Sequence, residues 1–281
     1  MKRDIDTFLQ HSAQEKGYSQ NTLAAYRNDL TQMAAFIVAE QAKGIITSYE
    51  GLLKSYLLKL REKRYSVATT ARKVASAKSF FKFMVVSGRI KENPTRHLPS
   101  PQVSKRSLKF LSPSEYQKLL AETAKLPTPE AKRDAVMLEL LYATGLRISE
   151  LVSLNVRNID LNQNCVHIDS KREVPFDHRL SLILGRFLRS DRLDLLYDER
   201  EEALFLNRRG NRLTRQGFWQ IIKGYASRAG LGGKVTPQTL RHSFARRKLQ
   251  NGAELRQLQQ LLGHAYISST RVYKQPAPGR G

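Results

Sequence analysis

Apolar residues in the segment 1–94 recur every three or four positions, which is the spacing of amphipathic helices. The clearest stripe comprises Leu23, Tyr26, Leu30, Met33 and Ile37. Ser19 stands just before this stripe and Ser66 before a later one, where a serine hydroxyl can cap a helix. Gly88 and the Asn93-Pro94 pair then close the pattern. The segment therefore predicts four short helices in one all-α domain.

Residues 95–109 break the helical pattern. The stretch TRHLPSPQVSKRSLK combines prolines and serines with several basic residues. This composition predicts a linker between two domains. A basic linker that lies along a DNA backbone and a merely solvated tether both fit the composition.

The segment 110–281 begins with a helix-start motif, in which Ser112, Pro113 and Glu115 form a capping box. A strongly apolar helix is predicted over 130–143, and Gly145 ends it. A second short helix is predicted over 148–154.

A small antiparallel sheet follows in the same segment. The predicted strands are Cys165–Asp169 and Glu173–Phe176, with Ser170, Lys171 and Arg172 in the turn between them. Helical patterns return from Leu180 onward. We therefore expect a mainly α protein, with an all-α amino-terminal domain over 1–94 and an α+β domain over 110–281.

The chain is strongly basic. Lys and Arg number 48 against 25 acidic residues, and the formal net charge is +23. Because both predicted domains share the excess, both are expected to face a polyanion, most plausibly nucleic acid. The single cysteine excludes an intramolecular disulfide framework and any zinc cluster based on cysteine. Neither a signal peptide nor an apolar run of membrane-spanning length is present, which predicts a soluble, intracellular protein.

Candidate chemistry concentrates in the stretch from Thr236 to Tyr273. It contains Arg241, then His264 after a glycine, then Tyr273 nine residues later. An arginine binds phosphate oxygens with a planar set of donors, a histidine adds a donor, and a tyrosine can act as a covalent nucleophile. These residue types suit work on a phosphodiester.

Two further cations are ambiguous when taken alone. Arg147 follows the break at Gly145, where it could meet an anion at a helix start or form a surface salt bridge. Lys171 occupies the predicted hairpin tip, where it could enter a DNA groove or remain solvated. Glu150 is expected to be structural, as a partner for a buried arginine.

These motifs together resemble the tyrosine recombinases of the phage integrase family, and the Xer-type members most of all. YSQNTLAAYRNDL and ATTARKVASAKSFFKFM resemble the amino-terminal DNA-binding domain of the family. TGLRISEL, TPQTLRHSFA, LLGH and the final tyrosine resemble its catalytic motifs. The resemblance spans the chain and implies a SAM-like core-binding domain over 1–94 and a catalytic domain of the DNA breaking-rejoining fold over 110–281.

The resemblance also implies residue roles. Arg147 and Arg241 would grip the scissile phosphate, with His264 as a third donor. Tyr273 would attack phosphorus and form a 3′-phosphotyrosyl link, and Lys171 would protonate the departing 5′-hydroxyl. Preorganised cations can stabilise such a transition state, so we expect no metal and no cofactor. The covalent link conserves the bond energy, which removes the need for ATP, and the chain has no Walker-type loop.

The chain departs from the family pattern at three places. Gln238 stands where the family usually has a histidine; it can donate a hydrogen bond to phosphate but cannot accept the proton of Tyr273. The hairpin around Lys171 is short and offers one lysine. Only eight residues follow Tyr273, with two prolines and two glycines among them, so we expect either that other surfaces hold the subunits together or that the sequence has been shortened.

In the amino-terminal domain we expect two helix starts and several basic side chains to contact DNA. Backbone N–H groups at a helix start bind phosphates, whereas solvated helix faces are the alternative for each basic side chain. The candidate residues are Ser19, Thr22, Arg27, Ser66, Thr69, Arg72, Lys73 and Lys78.

The predicted function is site-specific recombination of double-stranded DNA by a homo-tetramer on two sites, with or without a paralogous recombinase. A chain that begins at the clamp domain favours chromosome or plasmid dimer resolution, in the cytoplasm at the nucleoid. Three alternatives stay open at this point. They are a catalytically weakened DNA-binding member, a phage or mobile-element integrase, and a relaxing enzyme similar to type IB topoisomerases.

Overall fold

The computed structural model describes residues 1–44, 48–102, 108–169 and 172–274. The chain divides into two compact units, Met1–Lys105 and Arg106–Gly281. Over the described residues, no helix combines the length and the apolar character that a membrane span requires.

The first unit is built from four helices. Their bounds are α1 Lys2–Gln14, α2 Gln20–Ala42, α3 Tyr49–Glu62 and α4 Val67–Val86. The side chains of Ser19, Ser48 and Ser66 accept the N–H of the third helical residue of α2, α3 and α4, as expected for serine caps. The predicted apolar stripes meet in one core around Phe8, where Phe80 packs edge to face against its ring.

The second unit contains eight α-helices among its described residues. Their bounds are α5 Pro113–Ala124, α6 Pro129–Thr144, α7 Ile148–Ser153, α8 His178–Arg189, α9 Arg215–Arg228, α10 Pro237–Gln250, α11 Leu255–Leu262 and α12 Ser268–Arg271. The capping box predicted before α5 is present. Helix α12 begins after Ile267, without a side-chain cap.

A three-stranded antiparallel sheet accompanies these helices. Its strands are β1 Ile159–Asp160, β2 Cys165–Asp169 and β3 Arg172–Pro175, in the order β1-β2-β3. Strands β2 and β3 were predicted, whereas β1 was missed because two residues carry no periodicity. Arg172, expected in the turn, is the first residue of β3 and pairs with Asp169.

The core of the second unit is organised around α6. Most residues of this helix are buried, because α5, α8 and α10 pack against it. It ends at Gly145 in a left-handed conformation with φ +63°. A Cβ at this glycine would lie 2.3 Å from the buried ring of Phe244. A larger residue would therefore clash with this ring and would also be strained in the left-handed backbone conformation. The sharp turn aims the following residues away from the core.

Candidate active site

Four chain segments meet at one cleft of the second unit. Arg147 follows the end of α6, Arg241 lies on α10, His264 follows α11, and Tyr273 follows α12. The cleft has a volume of about 490 Å³. It is lined by Leu108, Leu146, Arg147, Ile148, Pro237, Gln238, Arg241, His242, His264, Ser269, Val272 and Tyr273. The structure thus brings together five of the six catalytic residues predicted from the sequence.

Arg241 is held from the inside of the cleft. Its side chain donates to the carbonyls of Gly145 and Leu262, each at 2.6 Å. A second bond joins its Nη2 to Nε2 of His264 at 3.0 Å. Burial and the neighbouring Arg147 lower the pKa of Arg241 to about 10, so the guanidinium remains charged at neutral pH. Two helix-end carbonyls therefore fix a buried cation at the bottom of the cleft.

Arg147 is fixed by Glu150 and by a backbone carbonyl. Its Nη1 donates to Glu150 at 2.7 Å, and its Nη2 donates to the carbonyl of Gly263 at 2.7 Å. Glu150 also accepts the backbone N–H of Arg147 at 2.7 Å and forms an ion pair with Arg172 at 2.8 Å. Burial alone would raise the pKa of Glu150, but its bonds to Arg147 and Arg172 lower it overall. One carboxylate thus orients two arginines, whereas the sequence predicted a pair with one buried arginine.

The hydrogen bonds of His264 define its tautomer. Because an arginine can only donate, Nε2 of His264 accepts from Arg241. Nδ1, which carries the proton, then donates to the hydroxyl of Thr270 at 2.9 Å. Burial and the charge of Arg241 lower the pKa of His264 to about 4. The imidazole is therefore neutral at physiological pH, and its Nε2 can donate only after Arg241 shifts or a proton is taken up.

Tyr273 is buried, with 7% of its surface exposed. It packs with Phe244 and Leu262, and its ring lies 5.6 Å from that of His242. Burial raises the pKa of the phenol, and the charges of Arg241 and Arg147 offset only part of this effect. In the free protein burial therefore outweighs the two arginines and favours the neutral phenol.

The two remaining predicted catalytic residues are Gln238 and Lys171. Gln238 is exposed on the first turn of α10 and faces the same cleft as Tyr273. Lys171 lies outside the described residues.

Sequence reasoning missed the buried groups that support the cleft. Thr270 is fully buried and bonds His264, yet a threonine in a short polar helix carries no sequence signal. No sequence pattern predicts that the carbonyls of Gly145, Leu262 and Gly263 accept hydrogen bonds from the two arginines. The two glycines indicate only where the helices end. Gly263 ends α11 with φ +60°, the left-handed conformation that favours glycine, and a Cβ there would also require Arg172 to move.

In the first unit, α2 and α4 begin in the same way. The hydroxyls of Ser19 and Thr22 lie 2.9 Å apart, and Ser19 accepts the N–H of Thr22 at 3.2 Å. Ser66 and Thr69 repeat both contacts at the same distances. The four residues predicted to mark helix starts therefore form two equivalent serine-capped ends.

The basic candidates of the first unit fall into two groups. Arg27 and Arg72 are exposed, although each forms an ion pair, with Asp6 and Asp29 respectively. Lys78 is partly buried and donates to Ser100 at 2.8 Å.

Lys73 corrects the prediction of a DNA contact. It is 3% exposed, and its ammonium donates to the fully buried carboxylate of Asp29 at 3.1 Å and to Gln32 at 2.8 Å. A contact with phosphate would leave Asp29 buried without this partner, which is costly. Lys73 is therefore a structural residue.

Sequence comparisons connect the whole chain to one family. The model described as "Phage integrase family" matches residues 109–280, and "Phage integrase, N-terminal SAM-like domain" matches residues 5–88. A tyrosine recombinase XerC from Roseiflexus sp. (strain RS-1) is 44% identical over 279 residues, which cover 97% of this chain and 89% of that protein. A tyrosine recombinase XerD from Pseudomonas aeruginosa is 38% identical and covers 98% and 93% of the two chains.

Solved structures share the fold at lower identity. XerH recombinase in a post-cleavage complex with a palindromic difH substrate has a TM-score of 0.71 and 19% identity, covering 96% of this chain and 90% of its own. The Tn1549 transposon integrase with transposon right-end DNA has a TM-score of 0.75 and 18% identity, covering 98% and 95%. With the family models and the curated relatives, these matches show that the chain belongs to the phage integrase family and is a tyrosine-type site-specific recombinase.

Proposed function

We propose that this protein cleaves and rejoins double-stranded DNA at a specific site through Tyr273. The observation that carries the proposal is the convergence of Arg147, Arg241, His264 and Tyr273 on one cleft. The net charge of +23 supports a polyanionic substrate. The solved relatives with DNA in their complexes support the same substrate class.

In the proposed reaction the phenol oxygen of Tyr273 attacks the scissile phosphorus and releases its proton to solvent, because Gln238 cannot accept it. The new phosphotyrosyl bond forms as the bond to the 5′-oxygen breaks, and Lys171 supplies the proton to that oxygen. Arg147 and Arg241 stabilise the charge on the non-bridging oxygens, where fixed cations in a partly buried cleft are effective. Attack of a 5′-hydroxyl on the phosphotyrosine then reverses the step on the exchanged strand.

A phosphate in the cleft would reorganise the contacts of Arg241. Its Nη2 now donates to His264, and an anionic oxygen competes for this donor because charge-assisted bonds are stronger. Once Arg241 turns to the phosphate, Nε2 of His264 is no longer occupied. The anion also favours protonation of the imidazole, and the protonated ring becomes the third donor.

The cleavage step is tested with a suicide substrate, a DNA duplex nicked next to the cleavage position. We expect a covalent protein–DNA adduct with native protein and none with Tyr273→Phe. Tyr266→Phe is the matched control, because Tyr266 is exposed in the same region and should leave adduct formation unchanged. An adduct formed equally by Tyr273→Phe would refute the assignment.

The assembly and the biological role rest on the family. We propose that four copies act on two DNA sites, with a paralogous recombinase in half of the positions where one exists, and that the reaction resolves chromosome or plasmid dimers at the nucleoid. The helix starts at Ser19 and Ser66, with Arg27, Arg72 and Lys78, are the proposed DNA contacts of the first unit. A phage or mobile-element role is the alternative, which mapping of adducts on genomic DNA would distinguish.

A second candidate function is DNA binding with weakened cleavage, which Gln238 motivates. The residue is exposed in the cleft but cannot accept a proton. If a histidine at this position accepts the proton of Tyr273, Gln238→His raises the single-turnover cleavage rate. The increase would be up to roughly 10²–10³-fold, which is the effect of losing one transition-state donor. An unchanged rate would show that the glutamine already performs the role or lies away from the reacting atoms.

A further inference from the structure

A cluster of metal-ligating side chains lies on the three-stranded sheet, outside the cleft. Asp160 on β1 is directly opposite Cys165 on β2, and His167 on β2 is directly opposite Glu173 on β3. Cys165 and His167 are two residues apart on one strand, so their side chains share a face. The register of the sheet therefore gathers a thiol, an imidazole and two carboxylates on one face.

The distances within this cluster suit a tetrahedral ion. The sulfur of Cys165 lies 3.7 Å from Nε2 of His167. The ligand atoms of Cys165, His167 and Glu173 all lie within 4.8 Å of one another. Zinc bonds of about 2.0–2.3 Å imply ligand-to-ligand distances of about 3.3–3.6 Å in a tetrahedral site. Side-chain rotations that bring the ligand atoms closer by up to about 1.5 Å close the remaining gaps.

The carboxylates of Asp160 and Glu173 both lie close to the imidazole of His167. Glu173 lies 3.1 Å from Nδ1 of His167, and Oδ2 of Asp160 lies 4.0 Å from its Nε2. The other oxygen of Asp160 accepts the N–H groups of Asn162 and Gln163 at 2.9 and 2.8 Å, which leaves Oδ2 directed to the ring. In metal sites a ligating histidine commonly donates its second nitrogen to a carboxylate.

We propose that Asp160, Cys165, His167 and Glu173 bind one transition-metal cation of the Zn²⁺ class. The thiolate and one imidazole nitrogen are its fixed ligands. Asp160 lies near Nε2 of His167 and Glu173 lies near Nδ1. The carboxylate beside the nitrogen that binds the metal completes the protein ligand set, and the other carboxylate orients the ring. Borderline-soft cations prefer this mixture of sulfur, nitrogen and oxygen, whereas Mg²⁺ and Ca²⁺ prefer oxygen alone.

The site has an entry path and a structural consequence. Cys165 is buried, but the side chains of His167 and Glu173 are 35% and 61% exposed, so an ion can reach the thiol from solvent. The ion would tie all three strands together. Strands β2 and β3 are joined in sequence by residues 170–171, which include the proposed general acid Lys171. The single cysteine predicted no cysteine-based zinc cluster, whereas this mixed site needs only one thiolate.

Cobalt titration of the full, reduced chain tests the proposal. Tetrahedral Co²⁺ bound to a thiolate gives an intense sulfur-to-metal charge-transfer band. Since the chain has one cysteine, the band can arise only at Cys165. We expect the band to saturate at one equivalent and to disappear when Zn²⁺ is added. Absence of the band at excess Co²⁺ would overturn the proposal.

Variants separate this site from adventitious binding. Cys165→Ser should abolish the band, and His167→Asn should weaken Co²⁺ binding at least about 10-fold, with Asp160→Asn and Glu173→Gln weakening it about 10–100-fold. His178→Asn is the control, because His178 is exposed at the start of α8 and should bind as native does. Equal affinity in native protein and His167→Asn would refute the site. Circular dichroism without metal confirms that each variant folds.

Discussion

Glu150 is predicted to be the main electrostatic support of the cleft, and Glu150→Gln tests this directly. The carboxylate accepts from the backbone and guanidinium of Arg147 and pairs with Arg172. The side chains of Glu150 and Arg172 are 16% and 11% exposed, so the substitution leaves a mostly buried guanidinium without its counter-charge. Breaking a buried pair costs about 3–5 kcal/mol. Because residual solvent reaches this pair, we expect a loss of about 2–4 kcal/mol in the free energy of unfolding.

The pH dependence of this loss follows from the pKa of Glu150, which is lowered from 4.5 in the folded protein. A carboxyl with a lowered folded pKa contributes stability above its unfolded pKa, and this contribution is lost as the pH falls through the folded value. The difference between native and Glu150→Gln should therefore be constant near neutral pH and narrow below about pH 4.5.

Urea denaturation monitored by tryptophan fluorescence measures this difference. Trp219 is the single tryptophan and lies on α9 in the second unit, so its signal reports that unit. Glu199→Gln is the control, because Glu199 is exposed on a loop, and it should shift stability by less than about 0.5 kcal/mol. A difference below about 0.5 kcal/mol for Glu150→Gln, or one that does not narrow in acid, would refute the reasoning.

Three further predictions concern the same unit. In imidazole nitrogen NMR of the free protein, His264 should carry its proton on Nδ1 and stay neutral from about pH 8 to pH 5, because its pKa is about 4; titration near pH 6.5 would contradict this. Thr270→Val should destabilise the unit by about 1–3 kcal/mol because Nδ1–H loses its acceptor, while Thr270→Ser retains the bond and most of the stability; equal losses would count against the bond. Gly145→Ala should lower the free energy of unfolding by about 1–3 kcal/mol more than Gly230→Ala, because a Cβ at Gly145 meets Phe244. Gly230 has a similar φ of +70° but open space around its Cβ. Equal losses in urea denaturation would show that the ring of Phe244 moves aside.

The parts of this fold that sequence could predict are those where a local pattern coincides with the final structure. The helix starts at Ser19, Ser66 and Ser112 depend on bonds three residues away, and each was predicted. The ends at Gly145 and Gly263 likewise follow from the left-handed conformation that glycine adopts. Local chemistry therefore located the segments that carry the candidate catalytic residues.

The parts that could not be predicted depend on contacts between distant segments. Lys73 has the sequence surroundings of an exposed lysine, and only the packing of α2 against α4 places Asp29 beside it. The bond from Arg241 to His264 reverses the donor role expected for this imidazole, because it requires α10 and the end of α11 to meet. The balance of burial and charge at Tyr273 is likewise a property of the assembled cleft.

The central claim is that Tyr273 forms the covalent bond to DNA, and peptide mapping of the adduct tests it most directly. Native protein is trapped on a suicide substrate, digested with nuclease and protease, and analysed by tandem mass spectrometry. The account predicts a nucleotide remnant on Tyr273, attached through the 3′-phosphate. A remnant on any of the other ten tyrosines (the sequence has 11), or on a serine or histidine, would contradict it.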